Sequence, residues 1–148
     1  MKSFYLSIIT ILVMTLSSAQ NPFNLKKDHD ALMVKDVAVS ADFYQEIFGL
    51  KEIPNGGLGD HIRWFELSNK VQIHLIESEE APEKNKGFHL ALSTDDLGAF
   101  MEFLESRNIH FENWPGEKGT TNTRPDGIKQ IYLQDPDGYW IEVNNNRL

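Results

Sequence analysis

The sequence predicts an α+β fold made of two βαβββ modules with one helix per module. The order strand, helix, strand, strand, strand occurs in residues 29–78 and again in residues 87–145. Similar segments also begin the two modules, HDALMV at His29 and HLALST at His89. Internal repetition of this kind indicates a duplicated structural unit.

Module one begins with DHDALMV, which alternates enough to be a strand. The segment SADFYQEIFGL follows as a helix, with Ser40 as its predicted N-cap and Gly49 as the residue that ends it. LKEIP is extended, and a turn-rich NGGLGD follows. Two strands, HIRWFELS and VQIHLIES, then flank Asn69 and Lys70 and complete the module.

Module two repeats this order after the break EEAPEKNKG. FHLALST is predicted to be a strand, DDLGAFMEFLESRN a helix capped by Asp95 or Asp96, and IHFENWP a strand. IKQIYLQ and YWIEV form a hairpin around DPDG. The 12-residue loop GEKGTTNTRPDG is predicted to be a solvated connection, with a lid that carries Arg124 to an anionic substrate as the alternative.

The N-terminal residues 1–19 differ from the rest of the chain. Lys2, an apolar run from Phe4 to Leu16 and small residues up to Ala19 predict a cleaved signal peptide. The run is short for a membrane span, so an uncleaved anchor is the weaker alternative. Residues 20–28 are predicted to be a polar linker. We therefore expect an exported protein, periplasmic or secreted, without stable membrane association after cleavage.

Composition limits the classes of function. The chain has 148 residues, of which 41% are hydrophobic, and this predicts a single domain over residues 29–145. A net charge of -8 argues against nucleic-acid binding, because phosphates require a basic surface. The absence of cysteine excludes disulfides, thiolate ligands and cysteine nucleophiles. Any metal site must therefore use histidines and carboxylates.

Three motifs, DHDALMVKDVAVSADFYQEIFGL, FHLALSTDDL and DPDGYWIEV, resemble the vicinal oxygen chelate superfamily, which contains glyoxalase I, fosfomycin-resistance enzymes and extradiol dioxygenases. The resemblance covers roughly residues 28–145. It implies that the two modules form a half-open, mostly antiparallel, barrel-like sheet and close around one divalent metal ion. It also implies that His29, His89 and Glu142 match the family's ligands, and that His74 matches the position of a fourth ligand, usually glutamate in glyoxalase I.

Strand alternation agrees with this assignment. His29 lies on the opposite face of its strand from Leu32, and Glu142 lies on the opposite face from Ile141 and Val143. The polar side chains therefore face away from the apolar packing side. Imidazole and carboxylate ligands together suit Zn²⁺, Ni²⁺, Fe²⁺ or Mn²⁺. By the same alternation, the predicted substrate-pocket residues are Trp64, Glu66, Gln130 and Tyr132, with plain packing as an equal alternative for Trp64 and Tyr132.

The predicted function is that of a divalent-metal-dependent, glyoxalase-like lyase or isomerase acting on a small substrate with vicinal oxygens. Glu142 would serve as both metal ligand and catalytic proton shuttle. His74 argues against glyoxalase I itself, because a metal-bound histidine is a poor base. An extradiol-type dioxygenase stays open, since two histidines and one carboxylate also suit iron.

A non-enzymatic protein that binds a small molecule or a metal is the rival from another class. In that case His29, His74, His89 and Glu142 would saturate a tetrahedral Zn²⁺ and close the site. Members of this superfamily often form homodimers, in some cases with one site built from two chains, and the linker EEAPEKNKG is long enough to permit either arrangement. The sequence identifies neither the substrate nor the metal.

Overall fold

The computed structural model describes residue 23 and residues 25–80 and 82–147. The predicted signal peptide lies outside this range, as do residues 20–22 and 24 of the predicted linker. The described part contains two helices and two open sheets, arranged as two βαβββ units, the second of which has one additional short strand. This confirms the predicted α+β fold. Within the same part of the chain, neither helix has the length and apolar character needed to cross a bilayer.

The elements of module one are β1 (His29–Val34), α1 (Val37–Phe48), β2 (Lys51–Ile53), β3 (Ile62–Glu66) and β4 (Gln72–Glu77). Its strands form a four-stranded sheet with the order β1-β4-β3-β2. The pairing of β1 with β4 is parallel, and the other two pairings are antiparallel.

The elements of module two are β5 (Leu90–Ser93), α2 (Leu97–Ser106), β6 (Phe111–Glu112), β7 (Asn122–Thr123), β8 (Lys129–Gln134) and β9 (Trp140–Asn144). Its sheet has the order β5-β9-β8-β6, in which β5 and β9 are parallel. The short strand β7 lies inside the predicted loop of residues 116–127 and also pairs with β8, so part of that loop belongs to the sheet.

The helix ends follow from local hydrogen bonding. Asp36 caps α1, because its carboxylate accepts from two backbone N–H groups of the first turn. The prediction that Ser40 is the N-cap is therefore wrong: the helix begins at Val37, and Ser40 is buried inside it. Gly49 ends α1 in the left-handed conformation, with φ of 63°, as predicted. In α2, Asp96 is the capping acid.

One hydrophobic core runs through both modules. It is built from the helices and from one face of each sheet, where every second strand residue is apolar. Its fully buried members include Tyr44, Phe65, Ile73, Leu75, Leu104, Ile131, Leu133 and Ile141. The opposite face of each sheet is consequently left for polar side chains.

The tip of the β8–β9 hairpin joins module two to module one. The Tyr44 hydroxyl donates to Asp135 Oδ2 at 3.0 Å, and the Ser40 hydroxyl donates to Asp137 Oδ2 at 2.7 Å. The Tyr139 hydroxyl lies 3.0 Å from the carbonyl oxygen and 3.1 Å from the backbone nitrogen of Met33. These contacts fix the start of α1 and the end of β1 against the second sheet.

Candidate active site

The predicted site residues form two separate groups, one in each module. Seven of them lie on strands of the two sheets, whereas His89 lies immediately before β5, which begins at Leu90 and not, as predicted, at Phe88. His29, His74, Trp64 and Glu66 belong to module one, and His89, Glu142, Gln130 and Tyr132 belong to module two. Across neighbouring strands Trp64 pairs with His74, and Tyr132 pairs with Glu142. Among the residues that the structure describes, no three histidine or acidic side chains converge closely enough to hold a metal ion. Each module thus carries half of the predicted set.

Glu142 is the centre of the group in module two. The residue is only 4% exposed, and both carboxylate oxygens accept hydrogen bonds. Tyr132 donates to Oε2 at 2.7 Å, Asn144 Nδ2 donates to Oε1 at 2.6 Å, and Arg124 Nη1 lies 3.3 Å from Oε1. The carboxylate is therefore held in a fixed orientation by protein donors and balanced in charge by an arginine.

Two further features define the surroundings of this carboxylate. When the Gln130 amide is oriented by its hydrogen-bond partners, its nitrogen lies 3.1 and 3.2 Å from the Glu142 oxygens and its oxygen accepts from Asn122. Burial, and next the hydrogen bond to Glu142, raise the pKa of Tyr132 far above its usual value. Tyr132 therefore stays protonated and remains a donor at neutral pH.

His89 presents a ring nitrogen to Glu142. Its Nδ1 lies 2.8 Å from the carbonyl oxygen of Lys86, which can only accept, so Nδ1 carries the proton. Nε2 then points its lone pair towards Glu142 Oε2, at 3.2 Å. Two facing lone pairs repel, so this position requires a cation between them, either a proton or a metal ion. Two ligand atoms that each lie about 2.0–2.2 Å from one ion are separated by about 3 Å, so the pair fits a shared metal.

The group in module one is an aromatic stack. The His74 ring lies between Trp64, at 4.2 Å and 7°, and His29, at 4.1 Å and 13°. His74 Nε2 is 2.8 Å from the Gln72 side-chain oxygen and is thus already used. Burial, followed by the neighbouring His29, lowers the pKa of His74, which keeps the ring neutral at pH 7.

The ring nitrogens of His29 make different contacts from those of His74. Its Nδ1 lies 2.6 Å from the Asp28 carboxylate, which leaves Nε2 free to accept or to bind a metal, as in carboxylate–histidine–metal triads. Two nearly parallel rings about 4 Å apart cannot both direct an in-plane lone pair at one ion. His29 therefore has the geometry of a ligand, and His74 that of a stacking partner. The Glu66 carboxylate accepts from Lys70 at 2.8 Å.

Three residues in contact with Glu142 or with Tyr132 were not among the predicted site residues. Asn144 could have been found, because strand alternation places it on the same face as Glu142. Arg124 was predicted only as the residue that a lid would carry to an anionic substrate. Lys86 donates to Glu112 and to two main-chain carbonyls, and its ammonium lies over the Tyr132 ring at 5.2 Å. No local sequence pattern predicts this contact between Lys86 and the Tyr132 ring.

Comparison with known proteins agrees with this architecture. The sequence profile of the Glyoxalase/Bleomycin resistance protein/Dioxygenase superfamily matches residues 26–143. The chain belongs to this superfamily. The uncharacterized protein YwbC of Bacillus subtilis is 36% identical over 122 residues, covering 78% of this chain and 93% of YwbC. Glyoxylase I 4 of Arabidopsis thaliana is 27% identical over 136 residues, covering 86% of this chain and 75% of the relative.

Solved structures show the same superfamily fold. Oxidase ChaP-H2 superposes with a TM-score of 0.68 at 23% identity, covering 84% of this chain and 95% of the oxidase. Lactoylglutathione lyase from Agrobacterium tumefaciens gives 0.62 at 19% identity, covering 82% and 93%. Membership supports a glyoxalase-like enzyme at the level of the family. Members of the superfamily generally use a divalent metal ion, bind small-molecule substrates and often form dimers.

Proposed function

We propose that this chain is a divalent-metal-dependent, glyoxalase-like lyase or isomerase that acts on a small substrate with vicinal oxygens, with His29, His89 and Glu142 as the metal ligands. The observation that carries the proposal is the buried Glu142 carboxylate, whose Oε2 faces Nε2 of His89 at 3.2 Å, a separation that a shared metal ion also fits. A bound divalent ion would supply Lewis-acid polarisation of the substrate oxygens. Zn²⁺, Ni²⁺, Fe²⁺ and Mn²⁺ all accept two imidazoles and one carboxylate.

The chain's own residues then divide the remaining work. Glu142 acts as ligand and as the acceptor that moves a proton on the substrate. Tyr132 and Asn144 donate to the two Glu142 oxygens and so keep the accepting oxygen in one place. The stack of Trp64 and His74 orients the His29 ring. Trp64 and Gln130 would line the substrate pocket.

The site requires two copies of the chain in this proposal. His29 lies in the sheet of module one and His89 immediately before β5 in module two, and in the described part of one chain no third histidine or acidic ligand joins His89 and Glu142. A homodimer that sets the polar face of module one against that of the partner's module two would bring the three ligands together. The frequent dimerisation of superfamily members supports this arrangement.

The stacked rings weigh against a closed structural zinc site. Such a site needs four protein ligands, and His29 and His74 cannot both reach one ion while they are stacked. Extradiol-type oxygen chemistry uses the same two histidines and one carboxylate, so the identity of the metal separates it from the lyase or isomerase.

The test is the metal content of the purified protein by mass spectrometry, for the wild type, Glu142→Gln and His74→Gln. We expect one equivalent of a first-row metal in the wild type, a strong reduction in Glu142→Gln and near-wild-type content in His74→Gln. His110→Gln is the matched control, because His110 is exposed and its ring pairs with Glu112 and not with Glu142. Iron would favour dioxygenase chemistry, and zinc or nickel the lyase or isomerase. A metal-free wild type after reconstitution would leave a non-enzymatic binding protein.

We further propose that the protein is exported, on the sequence pattern of residues 1–19 alone. Cleavage after Ala19 would give a mature chain that starts at Gln20. Intact-mass measurement of protein isolated from the extracytoplasmic fraction tests this. A full-length mass in the cytoplasmic fraction would contradict it.

A further inference from the structure

Arg124 is held at the rim of the Glu142 site by a tight turn. The turn connects β7 to β8, and its backbone closes through two hydrogen bonds, from Arg124 N to Ile128 O at 2.8 Å and from Gly127 N to Arg124 O at 2.9 Å. The Asp126 carboxylate accepts from Arg124 Nε at 3.1 Å and also from Nη2. The guanidinium is therefore fixed in position on one side by its own turn.

The other side of the guanidinium is only weakly occupied. Nη1 lies 3.3 Å from Glu142 Oε1, which already accepts a 2.6 Å bond from Asn144. The Arg124 side chain is 31% exposed, whereas that of Glu142 is 5% exposed. Arg124 thus connects the buried carboxylate to the open face of the sheet, with one donor group that is not firmly bound.

Charge balance indicates what this donor does when a cation binds. In the present arrangement Arg124 offsets the charge of Glu142. A divalent ion between His89 and Glu142 would take over that role and repel the guanidinium, while Asp126 keeps Arg124 nearby. Nη1 is then a free donor beside a site with excess positive charge. Lys86, whose ammonium lies over the Tyr132 ring, already donates to Glu112 and to two carbonyls, so its donors are taken.

We propose that Arg124 is a specificity residue that binds a carboxylate on the substrate, next to the oxygens that chelate the metal. The substrate class would then be small 2-oxo or 2-hydroxy carboxylic acids. The inference rests on the proposed metal-dependent function, because it places the substrate at the same site. Guanidinium N–H groups suit carboxylate oxygens in geometry and charge.

The test compares the binding of pyruvate with that of hydroxyacetone, a neutral molecule that also has vicinal oxygens, to the metal-loaded protein by titration calorimetry. In Arg124→Gln we expect the pyruvate affinity to fall by about 10- to 100-fold, the usual effect of losing a charged hydrogen bond. Hydroxyacetone affinity and metal content should stay at the wild-type values. Arg124→Lys, which keeps the charge but not the planar guanidinium that Asp126 holds in place, should give an intermediate pyruvate affinity and serves if the glutamine variant folds poorly.

Arg63→Gln is the matched control, because it breaks a similar arginine–carboxylate pair, with Glu52, on the face of β3 opposite to Trp64. Equal loss of both ligands in Arg124→Gln, or no loss of pyruvate binding, would overturn the specificity role. A wild type without metal would instead defeat the proposed function. In that case the titrations are made on the metal-free protein, where Arg124-dependent pyruvate binding supports the inference and its absence ends it.

Discussion

The variants His29→Ala and His89→Ala are each expected to bind no metal. When their subunits are mixed and exchanged, we expect about a quarter of the wild-type metal sites to be restored. Random exchange makes about half of the dimers heterodimers. In a site shared between modules of two chains, each heterodimer joins an intact His29 to an intact His89 once. Its second site carries both substitutions.

The readout is bound metal per chain at limiting metal concentration, with the binding of a small chelating ligand as a second measurement. The matched control mixes His89→Ala with Glu142→Gln. Both substitutions lie in module two, so every site in that heterodimer lacks one ligand and no recovery is expected. If the site lay within one chain, the first mixture would also stay empty. That result, or a protein that is monomeric in solution, would contradict the shared site.

Replacing Asp135 by alanine should destabilise the protein by about 2–4 kcal/mol, the range for leaving buried polar groups unpaired. Asp135 Oδ1 accepts from the backbone N–H groups of Asp137 and Tyr139, and Oδ2 accepts from the Tyr44 hydroxyl. Alanine would leave that fully buried hydroxyl without its partner and loosen the hairpin tip that joins the modules. We expect the midpoint of thermal unfolding to fall by roughly 5–15 °C.

The control is Asp95→Ala, an exposed acid beside the α2 cap, which should change stability by less than about 0.5 kcal/mol. Asp135→Asn should be milder than Asp135→Ala, since its side-chain oxygen still accepts from the hairpin backbone. Similar losses for Asn and Ala would show that the hydrogen bonds of this carboxylate do not hold the tip.

The asparagine variant also reports the charge on Asp135. Burial is the main cause that raises the pKa of this carboxyl above its ordinary value of 3.8, against the hydrogen bonds that lower it. The folded state therefore binds this proton more tightly than the unfolded state does. The contribution of this proton to the free energy of unfolding is complete below pH 3.8 and is lost as the pH rises through the raised pKa. The free energy of unfolding of Asp135→Asn, measured by denaturant titration, should therefore increase relative to that of the wild type between acidic and neutral pH.

The alternation of residues in the strands was sufficient to predict the fold and the face of each site residue. Glu142 shares a face with Trp140 and not with Ile141, because successive strand side chains point to opposite sides. The same rule would have revealed Asn144. The N-cap at Ser40 was predicted wrongly, because several short polar residues near a helix start can cap it. The one in extended backbone geometry, Asp36, does so.

The sequence by itself determined the two repeated modules, their apolar and polar faces and the residues that can supply imidazole and carboxylate. Only the tertiary structure decided the partners of those residues. The stacking of His74 on Trp64 and His29, the contact between Arg124 and Glu142, and the separation of the histidines into two groups depend on strand register, on a turn and on how the two sheets pack. These contacts join residues from different strands, turns and sheets, so local periodicity contains no information about them.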